Sequence, residues 1–266
     1  MMLTNAAVAS APSRSRPHSA AGWLHSLEAA RLVQQHLFPR EFPCPDGWDV
    51  AAACWPARVV AGDYLDLFSL GPDHFALALG DVAGKGLGPA LVMAGLRALV
   101  RLQLPRQAYD LAGLMRELND YLLTSTPDDL FVTLFLGVLE VSTGRLRYVN
   151  AGHLPPLVLA GPDDGEALRF TEGGTILGMF AEAAYDEGQL WLQPDSVLAL
   201  FSDGLTEATD RAGKTFHERR VVEELQGAWG KSADNMLARV LDTLEHFAHG
   251  KEQEDDISVI LLRRLS

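Results

Sequence analysis

Cysteine is almost absent from this 266-residue chain, which has only Cys44 and Cys54. Two cysteines make no disulfide framework and point to a reducing compartment. There is no Cys-x-x-Cys pair and no histidine at zinc-binding spacing, so a Cys44/Cys54/His36 zinc site has no spacing in its favour. Basic charge is also scarce. Against 35 acidic residues stand 22 Lys and Arg, a net charge of -13, which argues against binding a nucleic-acid backbone. Long apolar runs are missing as well. The most apolar helical stretch, Pro89 to Leu104, is interrupted by Arg97 and Arg101, so no membrane span is expected. The Ala- and Ser-rich start lacks the basic and apolar regions of a leader, although Ala9-Ser10-Ala11 loosely mimics a cleavage site. Residues 1–21 are expected to be a disordered tail, and the chain to be cytoplasmic.

Two nucleophile or phosphate motifs are absent too. A P-loop fails because Gly80 and Gly84 are separated by three residues and Gly86 replaces the hydroxyl residue that would hold magnesium. Ser202 lies outside any Gly-x-Ser-x-Gly elbow. No internal repeat occurs at solenoid periods.

The hydrophobic share is 48%, enough for one large core. In residues 22–38 Trp23, Leu27, Ala30, Val33 and Leu37 recur at helical spacing until Pro39, which predicts an amphipathic helix that packs on the main domain or serves a regulatory or dimer contact. Residues 39–266 read as one domain. Strands are expected near 48–55, 64–70, 74–80, 130–141, 145–150, 155–160, 189–193, 196–202 and 257–263, with helices over 89–104, 110–124 and 217–248. Residues 161–188 read as an irregular loop. Helices inserted as blocks among the strands predict a layered α+β sandwich.

Four aspartates stand at the edges of apolar runs: Asp63, Asp81, Asp203 and Asp255. Carboxylates at strand ends are rigidly aimed, and several that converge repel one another unless a hard cation lies between them. Asp81 is followed by the glycine-dense Val82-Ala-Gly-Lys-Gly86, which lets backbone approach an ion or phosphate. Asp203 precedes Gly204, a pair that elsewhere marks only a tight turn. Asp255 and Asp256 are neighbours at a strand start, so one of the two faces the site; alternation does not say which.

Taken together and in order across residues 34–263, these segments resemble the metal-dependent phosphatases of the PP2C superfamily, in particular the bacterial SpoIIE/RsbU branch. The resemblance rests on Gln34-Gln-His-Leu-Phe-Pro39, on Pro56-Ala57 with Val60-Ala-Gly-Asp-Tyr64, and on Gly80-Asp-Val-Ala-Gly-Lys-Gly86. It continues through Asn150-Ala-Gly-His153 with Pro155-Pro156, Ser202-Asp-Gly204 and Asp255-Asp-Ile-Ser258. The resemblance implies a four-layer α/β/β/α sandwich around a central pair of antiparallel sheets. It implies two Mn²⁺ or Mg²⁺ ions, with Asp81 bridging them, Asp63 and the Val82 carbonyl completing one site, and Asp203 and Asp255 the other. Catalysis would then rest on Asp63, Asp81 and Asp203, through water activated by two metals, with no Ser or Cys nucleophile.

Arg58 falls where relatives place a phosphate-binding arginine, and a surface role is the alternative. Lys85 reads as a turn residue, and Asn150 and His153 as a turn supporting the site. Two positions depart from the pattern: Ala61 replaces a glycine, and Ala83 stands where many eukaryotic relatives carry a histidine proposed as the acid. The branch implies a phosphorylated STAS-domain partner as substrate. It leaves regulation to the N-terminal helix, a separate activator or sensor protein, or a homodimer. The rival reading is a degenerate, non-catalytic binding module; the filled carboxylate positions weigh against it. A dinuclear phosphodiesterase or nuclease would want His-rich motifs, which are missing.

Overall fold

In chain order the structure, a computed structural model that describes residues 20–39, 42–162 and 168–266, begins with helix α1 (Ala20–Leu37) and strands β1 (Trp48–Trp55), β2 (Tyr64–Ser69) and β3 (His74–Val82). Helices α2 (Leu87–Gln107) and α3 (Leu111–Ser125) follow, then strands β4 (Val132–Glu140), β5 (Arg145–Ala151), β6 (Leu157–Leu159), β7 (Leu168–Arg169), β8 (Gly173–Gly174), β9 (Gly188–Trp191) and β10 (Val197–Phe201). The chain closes with helices α4 (Asp203–Thr206), α5 (Glu218–Gly227) and α6 (Ala233–Ala248) and strand β11 (Ile257–Arg264). The expected tail lies outside the described residues, except for Ala20 and Ala21, which begin α1.

The strands read as nearly continuous apolar runs because both of their faces are covered. In β3, Phe75, Leu77 and Leu79 point between two sheets, while Ala76, Ala78 and Val82 face helices. The same alternation divides β10 and β11. Leu198, Leu200, Ile260 and Leu262 fill the space between the sheets, and Val197, Ala199, Val259 and Leu261 face the other way. One sheet has the order β1-β11-β10-β6-β7, the other β2-β3-β4-β5-β8 with β9 beside β5. Pairing is antiparallel throughout except for β5 with β8, a two-residue parallel contact. Helices α2 and α3 cover the second sheet with Met93, Leu96, Leu114 and Leu118; α5 and α6 cover the first with Val221, Leu225, Met236 and Val240. The result is the expected four-layer α/β/β/α sandwich.

Three expectations are corrected. The helical region 217–248 is two helices, because the chain turns at Gly230 with φ at +78°. The stretch 161–188, read as loop, contributes the short strands β7 and β8 through backbone bonds that its polar composition does not advertise. Helix α2 is long and apolar enough to span a membrane by length and composition. Its inner face is nevertheless core, with Met93, Leu96, Val100 and Leu104 buried, and the two arginines that interrupt it meet the buried Asp66.

Candidate metal centre

Side-chain alternation carries the carboxylates to one mouth between the sheets. Asp63 precedes β2 in the phase of Leu65 and Leu67, and Asp81 closes β3 in the phase of Leu77 and Leu79. Asp203 opens α4 directly after β10, and Asp255 and Asp256 lead into β11, the neighbour of β10. Two glycines allow the approach. A Cβ at Gly62 would stand 3.2 Å from the Val82 carbonyl oxygen, and one at Gly204 would stand 2.1 Å from the Asp256 carbonyl oxygen, a distance no side chain tolerates.

Asp256 is the tie that aligns the two sheets here. Its Oδ1 accepts from the Ala57 N–H at 2.7 Å and its Oδ2 from the Gly62 N–H at 2.6 Å, so both oxygens hold the loop that delivers Asp63. Asp255 is left facing outward, where Lys85 Nζ meets its Oδ2 at 2.8 Å and the Glu254 carbonyl at 2.5 Å. Lys85 is therefore more than a turn residue: it bolts the glycine loop after β3 to the segment before β11. Deeper in the mouth the Ser202 hydroxyl donates to the Asp256 carbonyl at 3.1 Å and accepts from the Ser258 N–H at 2.9 Å.

The electrostatics call for a cation. Burial, and then the neighbouring Asp203, Asp255 and Asp256, push the Asp81 carboxyl up to about 7. Asp63, 1% exposed, is raised well above the carboxylate range chiefly by burial, against the lowering effect of Ser258 and with Asp81 and Asp256 adding repulsion. Its Oδ2 is buried with no hydrogen-bond partner. Asp203 is raised by burial and by Asp255 and Glu207. An all-oxygen donor set of this kind suits Mg²⁺ or Mn²⁺. Among the described residues no three His, Cys, Asp or Glu side chains gather closely enough to hold one ion alone. Carboxylates supplemented by a carbonyl such as that of Val82 and by water fit a cation that gives up its hydration reluctantly.

The structure brings Asp63, Asp81, Val82, Asp203 and Asp255 to this mouth and leaves Arg58 at its side. Arg58 is exposed on the loop between β1 and β2, with no ion pair or hydrogen bond among the described residues. Cys44 is an exposed free thiol and Cys54 a half-buried one, raised to about 12 by burial and by Asp63, and His36 lies apart on α1. Asn150 closes a turn by accepting from the His153 N–H at 2.8 Å and donating to its carbonyl at 3.0 Å. The His153 ring is buried, meets Thr133 Oγ1 at 2.9 Å and lies against the backbone of Phe201, two residues before Asp203. Burial lowers it to about 4, so it is neutral and links β4 to the end of β10.

One contact had no sequence signal beyond its motif. The Gln34 amide of α1 pairs with the backbone of Ala61, donating to its carbonyl at 2.8 Å and accepting its N–H at 2.9 Å, two residues before Asp63. Reading from sequence missed this contact, together with the roles of Lys85 and Asp256, because each spans elements far apart in the chain.

Two covered sheets with a carboxylate mouth at one end make a PP2C-like fold. Residues 71–265 match the family described as Stage II sporulation protein E (SpoIIE), and the chain belongs to that family. It is 30% identical over 264 residues to Protein IcfG of Synechocystis, covering 90% of this chain and 41% of that protein. It is 27% identical to Phosphoserine phosphatase RsbU of Bacillus subtilis, covering 90% of this chain and 70% of that one. Among solved structures, the SiaA-PP2C domain of Pseudomonas aeruginosa superposes with a TM-score of 0.77 at 19% identity, covering 91% of this chain and 97% of that one. The RsbU and RsbW domains of Rv1364c from Mycobacterium tuberculosis superpose at 0.71 and 24% identity, covering 86% of this chain and 63% of that one. The chain thus spans less than half the length of the IcfG relative.

Proposed function

We propose that this chain is a Mn²⁺- or Mg²⁺-dependent phosphatase acting on phosphoserine or phosphothreonine in a protein. The observation that carries the reading is the convergence of Asp63, Asp81, Asp203 and Asp255 from two sheets on one mouth where the buried carboxyls lack positive partners. In this reading Asp81 would serve both of two ions, with Asp63 and the Val82 carbonyl holding one and Asp203 and Asp255 the other. Bound there, two ions acidify water and clamp the attacking and leaving oxygens of a phosphate ester. The chain itself aims the carboxylates through Asp256 and Gly62, keeps the floor dry with buried Ser202, Ser258 and His153, and offers the exposed Arg58 to a phosphate.

RsbU and RsbP, both of Bacillus subtilis, are phosphoserine phosphatases by name, which supports phosphoserine as the group hydrolysed; a phosphoprotein in sigma-factor regulation is the substrate we infer. A phosphorylated STAS-type partner in the cytoplasm is the specific form we infer, with control through α1, a separate activator or a homodimer. Asp81→Ala and Asp203→Ala are expected to lower Mn²⁺-dependent turnover of an aryl phosphate by at least about a hundredfold while circular dichroism reports a native fold. Wild-type turnover in either folded variant would sink the assignment. No turnover by the unmodified chain in Mn²⁺ would favour a non-catalytic binding module.

A further inference from the structure

Beside Asp203 and Asp255 opens a groove of about 640 Å³. Its floor is the register pair Trp55 and Ile257 of β1 and β11. One wall is a stripe of α6, in which Leu241, Leu244, Glu245 and Ala248 recur at the spacing of one helical face. The opposite wall runs from Gly204 to Thr209, and the loop 250–255 closes the end. The volume lies within the range of sites that bury a drug-sized group, enough for one or two side chains.

The charge around this apolar floor is one-sided. Both lysines on the rim are already engaged: Lys85 with Asp255, and Lys251 with Glu254 at 3.0 Å and with the Thr209 hydroxyl. The carboxylates of Glu207, Glu245 and Glu252 make no ion pair among the described residues, and all three are exposed. The groove is continuous with the carboxylate mouth, so whatever occupies it is attached to, or lies beside, the group that reacts there.

We propose that this groove receives a segment of the phosphoprotein substrate flanking the phosphorylated residue, seating an apolar side chain over Trp55 and Leu241 and a Lys or Arg against Glu245 and Glu252. The assignment rests on the phosphatase reading above. It makes Glu245 and Glu252 specificity-determining residues: they contact the flank of the substrate and not the reacting phosphate. Apolar burial supplies affinity, and the exposed acidic rim selects sign of charge.

The test uses the full chain with Mn²⁺, an aryl phosphate too short to reach the groove while its phosphate lies at the mouth, and two phosphoserine peptides. One peptide carries Leu and Lys on both flanks, the other Ala and Glu. For the unmodified chain the kcat/KM of the Leu/Lys peptide is expected to exceed that of the Ala/Glu peptide by about tenfold, as one seated aliphatic group and one exposed ion pair warrant. In Glu245→Lys and Glu252→Lys, surface changes that leave the core alone, the preference is expected to shrink or invert when each kcat/KM is divided by that for the aryl phosphate. Equal use of both peptides by the unmodified chain, or a preference that both variants retain, overturns the groove assignment while leaving the phosphatase reading intact. Absence of turnover on all three substrates overturns the phosphatase reading itself, and the groove assignment with it.

Discussion

Asp255 and Asp256 differ by one position and have opposite duties. Asp256 spends both oxygens on the Ala57 and Gly62 N–H groups, 199 and 194 residues away, and its removal leaves two backbone donors beside a half-buried mouth. Hydrogen bonds to a charged acceptor contribute about 1.5–3 kcal/mol each and do not add fully. Asp256→Ala is therefore expected to lose about 2–3 kcal/mol in urea denaturation. Asp255→Asn is expected to leave that stability within about 0.5 kcal/mol, since it removes only a partly exposed ion pair with Lys85. It should instead reduce the rise in melting temperature that saturating Mn²⁺ confers on the unmodified chain. An Asp255→Asn variant as unstable as Asp256→Ala would show that the two duties are reversed.

At the scale of elements, the site is assembled by contacts between pieces that are each unremarkable alone. Helix α1 reaches the loop of Asp63 through the paired hydrogen bonds of Gln34 to Ala61. Gln34→Ala should cost about 1–2 kcal/mol, as a buried N–H and carbonyl lose their partners, and should weaken the Mn²⁺-dependent thermal shift because the Asp63 loop is released. An unchanged shift would reduce α1 to packing.

The turn after β5 supplies another link through His153. Its pKa is lowered to about 4 from 6.5, so the folded protein holds it neutral while the unfolded chain protonates it below 6.5. That contribution to stability is present above pH 6.5 and is lost as pH falls through about 4, roughly 3 kcal/mol in all. Between pH 7 and pH 4 the unmodified protein is expected to lose that much more stability than His153→Gln in paired urea titrations. Equal losses would mean that the ring is not held neutral. The Asn150-Ala-Gly-His153 turn was legible in sequence as a support. What it supports was not, because Thr133 and Phe201 lie on strands 20 residues before and 48 residues after it.

For the whole molecule, the question is what keeps two sheets and their helices in one register. Asp66, fully buried on the helix side of β2, takes Arg101 through two bonds of 2.7 and 2.5 Å and has Arg97 at 3.6 Å. Arg101 also stacks 4.3 Å over Phe68. Because β2 follows Asp63 and α2 follows the loop of Asp81, this buried pair fixes one element that delivers a site carboxylate against another. Arg101→Met leaves the buried carboxylate with Arg97 at 3.6 Å, the Tyr64 hydroxyl at 3.3 Å and the Leu67 N–H at 3.1 Å, and is expected to cost about 2 kcal/mol, whereas the joint replacement Asp66→Leu/Arg101→Met should recover part of that. A double variant no more stable than the single one would count against this pairing. The two arginines read in sequence as interruptions of an apolar helix, and only their partner explains them.

The chain's own order of residues determined which carboxylates end apolar strands, that alternation turns Asp63 and Asp81 toward the space between the sheets, and that the strands are covered on both faces. Those are local properties, set by a two-residue period and by what each run excludes. The tertiary structure alone decided that Asp256 braces the loop of Asp63 while Asp255 pairs with Lys85 at the rim, that Lys85 and Gln34 tie separate loops to the site, and that a groove with an acidic rim adjoins it. Each of these depends on which groups meet between separate elements, from 27 residues apart for Gln34 and Ala61 to 199 for Asp256 and Ala57. No period or spacing within a segment encodes such meetings.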